Sequence, residues 1–152
     1  MLRSRPATET PWHDALDPQT VYRLAGDYYE RGFDCAETLA RVFSDLNVIT
    51  ETDANTLQRA ARGLGNGLGG TRGNCGALTG AVIILNLALG PQTQTTKKMY
   101  RLVGAFTKRF EKHFKHLTCR NLLRECPMSC REKTCEAAVL LAAFLREKGS
   151  AL

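Results

Sequence analysis

Several signals are missing from the sequence, and each absence removes a class of protein. No sustained period-two alternation and no Asn-Gly turn between β-branched runs occurs, so sandwiches, barrels and parallel sheets are excluded. The arginines of "MLRSRPATETPWHD" are followed by no apolar stretch, which leaves out a secretory signal. The longest apolar run, "GALTGAVIILNLALG", is broken by Thr79, Gly80 and Asn86, and it falls short of the roughly 20 residues that span a bilayer. It reads as a buried core helix. No Cys-x-x-Cys pair and no Cys-x-x-Cys-His occurs, so neither the usual zinc spacing nor c-type haem attachment is present. No serine–histidine–acid or paired-carboxylate signature supports hydrolysis.

What is present is helical periodicity, recurring along the 152 residues. That length fits one domain with its own core. Residues 1–16 read as a flexible tail and residues 17–152 as a single all-α domain, a bundle of five to seven helices with a glycine-rich loop before the central one. Asp17 with Pro18 starts a helix through about Arg31, stopped by Gly32. Asp34 caps "CAETLARVFSDL", with Glu37 three residues on. A shorter helix runs from about Asp53 to Arg62. Asn74 caps a helix from Cys75 that ends before Gly90-Pro91. Next comes the longest, Thr95 to His116, with Met99, Val103, Phe106, Phe110, Phe114 and Leu117 on one face as a core stripe. Thr118 caps "CRNLL", and Thr134 caps a last helix, "CEAAVLLAAFLREK".

The charge is uneven. Between Lys97 and Arg124 stand nine Lys or Arg against Glu111 alone, a net +8 in a chain of net +6, so the remainder sums to −2. Lys97, Arg101, Lys108, Lys112 and Lys115 share one face of the longest helix. That face is either simply solvated or a dock for an acidic partner protein. No nucleic-acid motif accompanies it. His113 and His116 could in principle reach one metal, but among lysines they read as surface residues.

Two patterns compete in "GLGNGLGGTRGNCGALTG". Gly65, Gly67 and Gly70 satisfy a dinucleotide-binding pattern, but no strand precedes them and no parallel sheet is available. As a P-loop the stretch has Thr71-Arg72 where Lys-Ser or Lys-Thr is required. No nucleotide is therefore expected. The loop instead leads to Cys75.

Six cysteines without an export signal read as cytoplasmic thiols or ligands, not as a disulfide framework. Asp34-Cys35, Asn74-Cys75, Thr118-Cys119 and Thr134-Cys135 each place a favoured cap before a cysteine. A helix start offers unpaired N–H groups and the positive dipole end, both of which favour a thiolate. Four such thiolates suit zinc or an iron–sulfur cluster, and two of them suit a cofactor-free thiol–disulfide protein. Cys126 and Cys130, in "CPMSC", are extra ligands, a redox pair or incidental thiols, and Ser129 with Glu132 could cap a turn there too.

With those cysteines in place, the chain resembles the family of small redox-active proteins defined by four cysteines and a CGAxxG motif (the C_GCAxxG_C_C type). Cys75-Gly76-Ala77-Leu78-Thr79-Gly80 matches the motif. Phe33-Asp34-Cys35-Ala36 matches the first cysteine, Cys119 in "TCRNLL" the third, and Cys135 ahead of "AAVLLAAFL" the fourth. The family is similar to one domain of split-Soret cytochromes, which dimerise and carry an iron–sulfur cluster beside haem. What the resemblance implies is a homodimer with an iron–sulfur cluster, 2Fe-2S, on Cys35, Cys75, Cys119 and Cys135. It implies electron transfer or redox sensing. The chain departs from the cytochromes in lacking haem attachment, so no haem is expected, and from the family pattern in adding Cys126 and Cys130, which leaves the ligands near the C-terminus open.

Overall fold

Side-chain caps set most of the helix boundaries, and they position the cysteines that matter below. The structure is a computed structural model, and it describes residues 10–150. Helix α1 (Pro18–Glu30) opens where the Asp17 carboxylate accepts the Thr20 N–H at 3.0 Å, with Pro18 in the position where its missing donor costs nothing. Helix α2 (Cys35–Asp45) opens on Asp34, which accepts the Glu37 N–H at 2.8 Å. Helix α3 (Ala54–Ala61) opens on Asp53 in the same way. Helix α4 (Gly76–Thr93) has no side-chain cap, whereas α5 (Thr96–Phe114) is capped by Thr95 and α6 (Cys119–Glu125) by Thr118. Helix α7 (Cys130–Gly149) starts on a reciprocal capping box: Ser129 accepts the Glu132 N–H, and Glu132 accepts the Ser129 N–H. Among the described residues no strand forms, only an isolated antiparallel bridge between Asn74 and Thr118. The fold is all-α.

Helix α2 lies at the centre, packed against α1, α3, α4 and α7, and α5 closes the far side against α4 and α7. Its apolar residues occupy that middle layer: Leu39, Val42 and Phe43 meet Leu85, Leu89, Leu141 and Phe144 in one continuous core. The α5 stripe is buried at Met99, Phe106, Phe110 and Phe114, and Phe106 sets its edge on Phe144 with centroids 5.5 Å apart. Val103 and Leu117 are only partly buried.

Four boundaries differ from those expected from sequence. Helix α7 begins five residues before Cys135, because the Ser129–Glu132 box supplies two bonds where Thr134 offers a single hydroxyl; that hydroxyl instead donates to the Cys130 carbonyl. Cys75 is itself the cap residue of α4, so Asn74 does not cap it. Helix α4 continues through Gly90-Pro91 to Thr93 and stops at Gln94, whose left-handed φ of 57° ends it. Pro91 is tolerated there because its φ suits a helix, and in the last turn its ring costs one hydrogen bond. The expected tail is also shorter: Trp12 and Leu16 are buried, and Trp12 packs beside Gly149. Residues 1–9 of that tail lie outside the described residues.

Candidate functional site

The glycine-rich loop is a left-handed coil. Asn66, Gly67, Leu68, Gly69 and Gly70 all have positive φ, as does Arg72 after Thr71. Such a run is costly for residues with a Cβ, and glycine at three of its positions lowers that cost. At Gly67 (φ 70°) a Cβ would also lie 2.6 Å from the Gly73 nitrogen, so the turn closes only around glycine. The coil is tied to itself by Gly69 N–H to Gly63 O (2.9 Å), Gly73 N–H to Gly67 O (2.9 Å) and the Thr71 hydroxyl to Gly67 O (2.8 Å). Its pattern of glycines therefore serves backbone geometry.

From this coil the chain emerges beside α6. Cys75 N–H donates to Leu117 O at 2.8 Å, and Cys119 N–H donates to Gly73 O at 2.7 Å, flanking the Asn74–Thr118 bridge. Those bonds fix the starts of α4 and α6 side by side and bring Cys75 and Cys119 to one place. Gly76 and Gly80, one turn apart, face α2. A Cβ on Gly76 would collide with the Cys35 sulfur, and one on Gly80 would lie 3.0 Å from the Ala36 Cα. The two motif glycines thus let the Cys35 end of α2 sit against the first turns of α4.

The result is a cavity of about 270 Å³ lined by Cys35, Cys75, Cys119 and Cys130, with Tyr29, Phe33, Leu122 and Leu123 as apolar wall and Lys133 at its side. Three of the four cysteines expected there line it. Cys135 does not: on α7, residues 130, 133 and 134 point into the cavity, and residue 135 lies about 100° further round the helix. Cys135 is fully buried in the core, with Tyr22, Asp27, Glu30 and Arg131 close enough to act on it electrostatically or to be acted on. The capping box at Ser129-x-x-Glu132 was the signal for Cys130, since it puts this residue at the first helical position. Cys126, the residue ending α6, packs partly against the core and does not line the cavity.

Burial outweighs the helix-start effect at two of the thiols. Loss of solvent, followed by the proximity of Cys75, pushes Cys35 up to about 12, although backbone N–H groups of Asn66 and Ala36 pull the other way. Cys75 is also raised, by burial, against the Ala77 and Leu78 N–H groups and the nearby Lys133 charge. Both are therefore neutral thiols near pH 7, contrary to the thiolates expected from their position alone. Arg72 reaches Cys119 from outside, its guanidinium 3.6 Å from the sulfur. Among the described residues, no three Cys, His, Asp or Glu side chains close on a point that one metal ion could occupy.

His113 and His116 do not share a partner. His113 bonds Glu136 at 2.5 Å and His116 bonds Glu125 at 2.7 Å. Lys97, Arg101, Lys108, Lys112 and Lys115 are all exposed.

No curated protein and no solved structure matches the chain. A family model does match, over residues 33–147, from the residue before the Asp34 cap to near the end of α7. The match covers every cavity cysteine, the glycine coil and the CGAxxG glycines that seat Cys35, and the chain belongs to the family described as "Putative redox-active protein (C_GCAxxG_C_C)".

Proposed function

We propose that this redox-family protein is an iron–sulfur protein for electron transfer or redox sensing, with Cys35, Cys75, Cys119 and Cys130 as the residues that would hold the cluster. One observation carries the reading: four thiols, delivered by the starts of four different helices, line a single cavity. All-cysteine ligation suits such a centre, which when bound supplies one-electron chemistry. The 2Fe-2S form is part of this proposal and rests on the sequence resemblance alone.

Two features favour this over the alternatives. A structural zinc ion needs its sulfurs at about 2.3 Å from one point. Among the described residues no three Cys, His, Asp or Glu side chains meet at one point, while four cysteines line one cavity, which suits a centre of two irons that takes two cysteines each. A thiol–disulfide protein needs an attacking cysteine that ionises easily. Burial instead pushes Cys35 and Cys75 the other way, so a metal centre that takes the place of their protons gives these thiols a use that free thiols lack.

The test is iron and acid-labile sulfide analysis after anaerobic purification and reconstitution, on the wild type and two variants. Stoichiometric iron and sulfide are expected in the wild type and in Cys135→Ala, with a loss of at least half in Cys130→Ala. A colourless wild-type protein without iron sinks the cluster reading. Loss in Cys135→Ala with retention in Cys130→Ala returns the fourth place to Cys135.

A further inference from the structure

Lys133 is the one strongly buried cation of the molecule's thiol cavity, only 6% exposed, on the same face of α7 as Cys130 and Thr134. Its ammonium spends one of three donors on the Leu122 carbonyl at 3.2 Å. Among the described residues no carboxylate forms an ion pair with it, although buried charges are normally paired. The only carboxylate lining the cavity, Asp34, is engaged as the cap of α2. Arg72 adds a second cation beside Cys119. The starts of α2, α4 and α7 add N–H groups of the same sign. Lys133, Arg72 and the helix starts all favour negative charge among the sulfurs, against the burial and the Asp34 carboxylate that oppose it at Cys35.

We propose that the cavity holds its occupant as an anion and that Lys133 is the positioning residue that supplies the fixed counter-charge. This rests on the cavity being the functional site, but not on which centre it holds: a metal–thiolate cluster and a small anionic ligand at the sulfurs share the chemistry. Removing Lys133 leaves the thiols and the helix starts in place while taking away the charge that draws an anion to them.

The experiment compares alkylation of the reduced, metal-free protein by iodoacetate, an anion, and by iodoacetamide, its neutral analogue, at one pH. Peptide mass spectrometry reads the two rates at Cys119 and Cys130. Both reagents attack the same thiolate, so their rate ratio cancels its population and reports the local field. The iodoacetate-to-iodoacetamide ratio at these two cysteines is expected to fall about threefold or more in Lys133→Met and Lys133→Gln, to recover in Lys133→Arg, and to stay unchanged at Cys126, outside the cavity. An unchanged ratio in both neutral variants overturns the proposal, as does an equal fall at Cys126. Failure of the wild type to take up iron, with the ratio still falling as expected, overturns the cluster reading and leaves the counter-charge standing.

Discussion

Gly76 is the residue whose missing side chain gives the cavity its shape. A Cβ there collides with the Cys35 sulfur and also lies 2.9 Å from the Leu64 carbonyl oxygen, and the second neighbour is backbone that cannot swing away. Gly76→Ala is therefore expected to cost about 1–3 kcal/mol in urea unfolding, as overpacking does. If the proposed centre is held by Cys35, the variant should also lower metal uptake, because the atom displaced is the sulfur itself. Unchanged stability would mean that α2 and α4 are free to separate. Cys35 makes a second prediction at this scale. Its folded-state value of about 12 lies above the ordinary 9.0, so its burial contributes nothing adverse while the thiol is neutral in both states. As pH rises past 9 the unfolded chain ionises first, and stability is lost progressively between about pH 9 and 12. In the metal-free reduced protein, unfolding midpoints at pH 8 and 10.5 should therefore diverge more in the wild type than in Cys35→Ala. Equal divergence would place the alkaline loss elsewhere.

At the scale of elements, capping explains both what could be read from the sequence and what could not. Asp17, Asp34, Asp53, Thr95 and Thr118 each precede a clean helical pattern without a rival nearby, and each caps the helix expected of it. Near the last helix two starts competed, Ser129 and Thr134, and the outcome depended on the reciprocal bond from Glu132. With α7 starting at Cys130, that residue joins Lys133 and Thr134 on the face that lines the cavity, and Cys135 falls in the core. The positive-φ coil of residues 66–70 was legible only as glycine content, since its bonds run between residues already inside the loop. Lys133 was invisible because its burial depends on where α7 begins. Ser129→Ala should then cost about 1 kcal/mol of stability, the usual loss for a cap. If the box also seats Cys130, the same variant lowers cluster content more than a control of equal cost, Asp53→Ala at the start of α3, which is remote from the cavity. Equal effects on cluster content from both variants would show that the box acts through stability alone.

For the whole molecule, the uneven charge is the remaining question. The five basic residues on α5 are exposed, and the face they form ends at Lys115, four residues before Cys119. Lys108 and Lys112 stand one turn apart, where like charges disfavour a helix by about 0.2–0.5 kcal/mol. Glu111 three residues beyond Lys108, and the helix dipole at Lys112 in the last turn, offset part of that repulsion. An acidic docking partner gives the repulsion a purpose, because a single-signed face speeds encounter with an opposite one and loses that advantage in salt. The two explanations separate by experiment. Lys108→Glu alone should leave stability within a few tenths of a kcal/mol, since the Glu–Lys pair gained with Lys112 is set against the new repulsion from Glu111. Lys108→Glu with Lys112→Glu should weaken binding to an immobilised poly-glutamate surface at low salt by tenfold or so, on the order of 1.4 kcal/mol. Arg59→Glu with Arg62→Glu, two exposed positions at the end of α3, change the net charge equally. If binding follows net charge alone, the two double variants lose it equally and the α5 face is ordinary solvated surface. A loss confined to the Lys108 and Lys112 pair makes that face the dock.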